Sequence, residues 1–377
     1  MRELLDDLET ILATGDPFAV AVITRTWRSA PRPAGTFMLV THDGRAFGSL
    51  SGGCIEGAVH EAALEVLHTG TSSAHHYGVS GNDALRLGLT CGGEIDIHIT
   101  PFADTDAPHR DALEAAVACL RNHQPTALAI AVTTQPGTPC PAPAWECVET
   151  GPGGEGGDAV SDLARHARRV AAANNDRDDA LLSTTADGTE VLVCRWSPPP
   201  RLVIFGAIDF SRAATTLGKF LGYHVTVCDA RATFATRERF PDADEVITAW
   251  PHRWLDQQLQ SSALPPSAVV LLLTHDPKFD IPALSIALRQ PFRYVGALGS
   301  RRTTADRAQL LREAGLTDHE IARLHAPIGL DLDANTPEET AVAIMAEVLL
   351  HRGRGTGAPL GATTTPIHHT IPQDPWC

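Results

Sequence analysis

The sequence predicts an α/β protein in two parts: an N-terminal mixed α/β domain over residues 1–197 and a C-terminal Rossmann-like domain with a parallel sheet over residues 201–351. Three observations predict it. Short apolar runs alternate with helical patterns along residues 201–351, and strands separated by helices form parallel sheets. The first of these runs ends at Gly206 and the second at Asp229, 23 residues on, near the roughly 20 that part the glycine turn from the acid of a Rossmann unit. Pro198-Pro199-Pro200 makes a stiff break between two stretches of different character.

The elements follow in order. Leu4, Leu5, Leu8, Ile11 and Leu12 share one face of an opening helix, stopped by Gly15-Asp16-Pro17. Residues 18–26 are densely β-branched and predict a buried strand; 27–35 read as a loop. Residues 36–40 and 46–50 read as a hairpin around His42-Asp43-Gly44. Ile55, Val59, Ala62, Val66 and Leu67 then recur at helical spacing. Residues 94–100 alternate polar with apolar, the pattern of a half-buried strand. Helices are predicted at 111–122 and 161–173, and strands at 126–133 and 189–196. Residues 135–158 are rich in Gly and Pro and predict a mobile insertion with Cys140 and Cys147 exposed; 174–179 read as a polar break.

In the second part, strands are predicted at 201–205, 223–228, 245–248 and 268–274, with another ending at Gly296-Ala297-Leu298-Gly299-Ser300. Phe210, Ala213, Ala214, Leu217 and Leu221 make a helix face. Thr317 with Glu320, and Thr336 with Glu339, form capping boxes; Leu316 and Ile321 supply a staple and Pro337 a first-turn proline. Residues 352–377 read as a loose tail.

Composition excludes several classes. A formal net charge of −15 argues against nucleic acid and anionic membranes as partners. Hydrophobic content of 43% and charged content of 20% are those of a soluble globular chain. The acidic, amphipathic start is not a signal peptide, and no apolar run approaches the roughly 18 residues of a membrane span. The 8 cysteines include no CxxC pair or zinc spacing, which argues against a structural zinc site. The expected compartment is the cytoplasm, with thiols reduced.

Candidate chemistry centres on Ser51-Gly52-Gly53-Cys54-Ile55-Glu56, a loop handing over to a helix. Glycines let a ligand approach the backbone, and a helix start offers unpaired N–H groups to an anion. The same field favours a thiolate at Cys54. The bland alternative is a tight turn with a buried, inert cysteine. A second glycine–cysteine loop, with Cys91, Gly92 and Gly93, precedes the strand at 94–100. If the strands beside the two loops are neighbours, the loops meet at one sheet edge.

In a doubly wound sheet, ligands gather at the carboxyl ends of strands. Those ends hold Gly206, Asp229-Ala230-Arg231, Thr274-His275-Asp276 and Gly299-Ser300-Arg301-Arg302. Arg301 and Arg302 suit a phosphate or are simply solvated. His275 serves as acid, base or ligand, or is structural. Asp229 meets a ribose hydroxyl or is a solvated turn acid. The turn Gly206-Ala207-Ile208-Asp209-Phe210-Ser211 departs from Gly-x-Gly-x-x-Gly. Branched Ile208 blocks a pyrophosphate and Asp209 repels it, which argues against NAD(P) bound in the usual mode.

These residues resemble the XdhC/CoxI family of chaperones, which insert the molybdenum cofactor into xanthine dehydrogenase-type enzymes. The N-terminal resemblance rests on Gly48-Ser49-Leu50-Ser51-Gly52-Gly53-Cys54-Ile55-Glu56 and Gly88-Leu89-Thr90-Cys91-Gly92-Gly93. The C-terminal resemblance rests on Ile204-Phe205-Gly206-Ala207, Val227-Cys228-Asp229-Ala230-Arg231, Thr274-His275-Asp276, Gly296-Ala297-Leu298-Gly299-Ser300-Arg301-Arg302 and Pro327-Ile328-Gly329-Leu330-Asp331. Ile208 and Asp209 replace the family's Gly-x-Gly-His turn.

The resemblance implies a binding protein more than a catalyst. It implies binding of molybdopterin, its protection during sulfuration, and delivery to a xanthine dehydrogenase-type apo-enzyme. A cysteine desulfurase would be a second partner, and the chaperone a homodimer. Glycine N–H groups suit the cofactor's phosphate or oxo oxygens. Cys54 is then the first candidate to contact molybdenum and Cys91 the second. Two other readings stand beside this: an NAD(P)-dependent oxidoreductase using the Rossmann half, and a regulatory or scaffold protein with a degenerate nucleotide fold.

Overall fold

A computed structural model describes residues 1–28, 30–78, 93–102, 108–132, 144–150, 161–172, 179–353 and 355–364. Two compact units divide the chain, the first over Met1–Pro198 and the second over Pro199–Thr364.

The first unit opens with α1 (Leu5–Thr14), β1 (Phe18–Trp27), β2 (Phe37–Thr41) and β3 (Ala46–Gly48). Then come α2 (Glu56–Thr69), β4 (Ser73–Tyr77), β5 (Glu94–Phe102) and α3 (Pro108–Arg121). It closes with β6 (Thr126–Ala131), β7 (Trp145–Glu149), α4 (Asp162–Ala172), β8 (Asp179–Thr184) and β9 (Glu190–Trp196). The strands form two antiparallel sheets, β3-β2-β1-β5-β4 and β7-β6-β9-β8.

Helix α2 covers one face of the five-stranded sheet, laying Val59, Ala63 and Val66 on Ala19, Ala21, Ile23, Ile97 and Ile99. The other face meets the second sheet: Phe18, Val20, Val22 and Leu39 pack with Leu128, Ile130, Leu192 and Trp196. Burial on both faces is why the first part of β1, from Phe18 to Ile23, reads as an unbroken apolar run. Each such side chain contributes about 2 kcal/mol. Ala164, Ala167 and Ala171 bring α4 close onto the outer face of the second sheet.

Three details differ from the expectations. Strand β5 is not half-buried, because Asp96, His98 and Thr100 share their face with Phe102, which points into the core between the sheets. Residues 135–158 are not all loop: β7 lies among them, with Trp145 and Val148 buried and the strand paired to β6. Cys147 is largely enclosed there, 3.3 Å from Thr126 Oγ1, and burial pushes its thiol up to about 11. Cys140 lies outside the described residues. Edge strand β8 starts where the expected polar break at 174–179 ends, over residues for which no strand was expected.

The second unit runs β10 (Arg201–Phe205), α5 (Asp209–Phe220), β11 (His224–Asp229), β12 (Glu245–Thr248), α6 (Pro251–Gln260) and β13 (Val269–Leu272). It continues with α7 (Pro277–Ala287), β14 (Tyr294–Ala297), α8 (Arg301–Glu313), α9 (Asp318–Ile321), β15 (Leu324–His325) and α10 (Pro337–Arg352). All strand pairs are parallel, in the order β12-β11-β10-β13-β14-β15. That is the order of the Rossmann fold, with the switch point between β10 and β13. Helices α5 and α10 cover one face, and α6, α7 and α8 the other. Both capping boxes form, at Thr317/Glu320 and Thr336/Glu339. Among the described residues, no helix is long and apolar enough to cross a membrane.

Candidate functional site

Strand β3 ends at Gly48, and the chain turns through Gly52 (φ 79°) and Gly53 (φ 117°) before α2. Nothing lies within 4 Å of a Cβ built on either glycine, so backbone conformation rather than crowding favours glycine there. The amides of this turn do converge, but on the chain's own Glu56. Oε1 accepts from the amides of Leu50 (3.1 Å), Ser51 (2.8 Å) and Gly52 (3.1 Å), and from Ser49 Oγ (2.6 Å). Oε2 accepts from Gly53 N (2.8 Å), Ile55 N (3.2 Å) and Ser51 Oγ (2.7 Å). Ser51 Oγ in turn accepts from Cys54 N at 3.0 Å. Burial works against the Glu56 charge, yet the two serine hydroxyls and the amides outweigh it and hold the carboxyl at about 2.

The cradle assigned to an outside anion is therefore filled from within. Ser51, Gly52 and Gly53 grip Glu56, and Glu56 neutralises the helix start. Cys54 stands exposed beside them, so it is not the buried cysteine of the bland alternative.

The second glycine–cysteine loop is seen only at its end. Cys91 and Gly92 lie outside the described residues, and Gly93 is buried just before β5. Strands β3 and β5 are not neighbours, since β2 and β1 stand between them. They do share an end of the sheet: β3 runs parallel to β1 and β5 antiparallel, so β3 leaves where β5 enters.

The C-terminal candidates collect at the carboxyl edge of the parallel sheet, at the ends of β10, β11, β13 and β14. Gly206 follows β10 with φ 108°; a Cβ there would lie 2.7 Å from Thr274 Cγ2. Asp229 is not a solvated turn acid. It is 2% exposed, and its Oδ2 accepts from Ala207 N at 2.8 Å. Arg231 grips both of its oxygens, at 2.9 and 2.7 Å, and stacks on Phe234. Burial opposes the Asp229 charge, but Arg231 and the amides of Ala207 and Arg231 hold the carboxyl below the usual range. Both carboxylate oxygens are thus engaged within the chain. His275 is exposed, as are Ser300 and Arg301, with Ser300 capping α8 through Thr303 N at 3.1 Å.

A buried ion pair that the sequence reading missed lies beneath this edge. Asp280 accepts from Thr274 Oγ1 and from Arg307 Nη2 at 3.0 Å. Burial pushes the Asp280 carboxyl up, against the Thr274 hydroxyl and the Arg307 guanidinium. Among the described residues Arg307 Nη1 has no hydrogen-bond partner; it lies 3.5 Å from where a Gly299 Cβ would sit. The signal was a lone acid in an otherwise apolar stretch, Phe279-Asp280-Ile281-Pro282-Ala283-Leu284.

Residues 202–348 match the XdhC Rossmann domain, and residues 11–78 match the XdhC and CoxI family. The chain belongs to the XdhC/CoxI family. It is 27% identical over 350 residues to a probable xanthine dehydrogenase subunit of Bacillus subtilis strain 168, covering 92% of this chain and 97% of that one. It is 26% identical over 352 residues to the molybdenum cofactor insertion chaperone PaoD of Escherichia coli K12, covering 92% and 89%. A solved structure described as a xanthine dehydrogenase from Bacillus halodurans superposes with a TM-score of 0.68 at 27% identity, over 94% of this chain and 98% of that one. The XdhC/CoxI match takes in the Glu56 cradle and Cys54, and the XdhC Rossmann match takes in Gly206, Asp229, Arg231, His275 and Gly299.

Proposed function

We propose that this XdhC/CoxI-family chain binds the molybdenum cofactor and assists its insertion into a xanthine dehydrogenase-type apo-enzyme. Cys54 carries the reading: an exposed cysteine two residues before α2, on a turn whose amides from Leu50 to Ile55 are all engaged. A thiolate is the soft ligand that molybdenum or a sulfur-transfer step takes. The engaged amides brace the turn, so the sulfur is presented at a fixed place. Because Glu56 fills the cradle, the grip on the metal group falls to the sulfur and not to bare amides. Similarity to PaoD along most of both chains supports the same reading.

Protection during sulfuration, a cysteine desulfurase as sulfur donor and a homodimer belong to the proposal and rest on the resemblance; a cytoplasmic setting belongs to it too and rests on the sequence. An NAD(P) oxidoreductase is disfavoured on three counts. The Ala207 amide is taken, Ile208 is branched, and both Asp229 oxygens are engaged.

The test is to purify the protein from a molybdenum-replete host and assay molybdenum and pterin fluorescence, with Cys54→Ala in parallel. The wild type is expected to carry both, and the variant to lose them by roughly tenfold or more with its melting point unchanged. A wild type without pterin overturns the chaperone reading. Undiminished contents in Cys54→Ala overturn the role of the sulfur.

A further inference from the structure

The second unit brings His325, Glu347 and His351 together, with one ligand atom from each lying within 4.8 Å of the others. His325 closes edge strand β15, opposite Gly296 of β14. Glu347 and His351 sit one turn apart on the last part of α10, so they share a face.

The carboxylate is already oriented. Glu347 Oε2 accepts from Tyr294 OH at 2.7 Å and from Gly329 N at 2.6 Å. Oε1 is left facing His325 Nδ1 at 3.3 Å. The His351 ring is fixed too: its Nδ1 lies 2.9 Å from the carbonyl oxygen of Glu347. A carbonyl only accepts, so Nδ1 carries the proton and Nε2 keeps the lone pair that a metal requires. Tyr294 stacks on His325 at 4.4 Å, and the His351 ring meets His325 edge-on at 4.2 Å.

We propose that His325, Glu347 and His351 bind a divalent first-row transition-metal cation, with an open position on the solvent side where His351 is exposed. Two imidazoles and one carboxylate suit a borderline cation such as zinc, whereas calcium and magnesium take oxygen ligands. Bonds of about 2.0–2.1 Å to a tetrahedral ion put neighbouring ligand atoms about 3.3 Å apart, which is the 3.3 Å found between His325 Nδ1 and Glu347 Oε1. A plain His325–Glu347 ion pair accounts for neither the third ligand nor its pinned tautomer. With three protein ligands, the fourth position is open to water or an oxygen donor. This site is independent of the role given to Cys54.

The test uses the full chain after chelator treatment, titrated with zinc by calorimetry and with cobalt(II) by visible absorption. Wild type is expected to take one metal per chain saturably. His351→Ala is expected to weaken binding by roughly tenfold or more with circular dichroism unchanged. Glu347→Gln keeps an oxygen for Tyr294 and Gly329 and is expected to weaken binding as much. Cys54→Ser is expected to leave it unchanged. No saturable binding by the wild type overturns the proposal. So does wild-type affinity in a folded His351→Ala or Glu347→Gln protein, or binding abolished by Cys54→Ser alone.

Discussion

Ser51 and Glu56 interlock: the Ser51 amide donates to Oε1 at 2.8 Å while the Ser51 hydroxyl donates to Oε2 at 2.7 Å. The first residue of α2 thus reaches back and closes the turn that leads into it. Glu56→Gln keeps one oxygen but turns an amide NH2 against donors that need an acceptor. A charged acceptor is worth more than a neutral one, and an unmet donor costs about 1–3 kcal/mol. The variant is expected to lose about 2 kcal/mol in urea unfolding, allowing for solvent at this half-exposed turn. A loss below about 0.5 kcal/mol would mean that the turn holds without the charge.

The same group sets a pH dependence. Its carboxyl stands at about 2 in the folded chain against an ordinary 4.5. A folded value below the unfolded one stabilises the protein above the unfolded value, and the gain is lost as pH falls. The stability difference between wild type and Glu56→Gln is therefore expected to be flat from about pH 7 to about pH 5.5 and to shrink from about pH 5 towards pH 2. Melting curves of both proteins across that range decide it; a difference that grows on acidification would contradict the sign.

How far the sequence reaches depends on the kind of signal. Strand β12 was legible to the residue at 245–248, because parallel strands feed helices in a fixed order. Thr317 and Thr336 were legible as caps, because capping is a matter of residue type and local spacing. Strands β7, β8 and β15 were not: they are short edge strands whose pairing is settled by the neighbour. Every residue of the Glu56 cradle was in view, but a side chain folding back on its own turn leaves no periodic trace. Asp229 was placed at the right strand end, while its burial depends on Arg231 and on the closeness of Ala207. Glu347 and His351 show helical spacing in the sequence; His325 joins them only through the pairing of β15 with β14.

Gly206, just past β10, lies against Thr274, just past β13. Its φ is 108°, and a Cβ would meet Thr274 Cγ2 at 2.7 Å and Thr274 N at 3.1 Å. Gly206→Ala adds backbone strain of about 1–2 kcal/mol to overpacking of about 1–3 kcal/mol. A loss of about 2–5 kcal/mol is expected in urea unfolding, with the circular dichroism of the native state kept. A cost below about 1 kcal/mol would show that the two strand ends can part.

Asp280 and Arg307 make the most demanding polar contact under the carboxyl edge. Their side chains are 3% and 4% exposed, so each charge depends on the other. Arg307 Nη2 also reaches the Leu298 carbonyl at 3.0 Å, whereas Nη1 is unpartnered among the described residues. Asp280→Leu leaves the guanidinium buried against one carbonyl, and breaking a buried pair in this way costs about 3–5 kcal/mol. Arg307→Met leaves the carboxylate with only the Thr274 hydroxyl and is expected to cost about as much. Removing both charges together spares their desolvation, so the double variant Asp280→Leu/Arg307→Met is expected to be more stable than either single one. A double-mutant cycle in urea reads this directly. Costs that simply add would mean that the two residues are not coupled, and the polar layer beneath Gly299 would then have to be held by Thr274 and the Leu298 carbonyl alone.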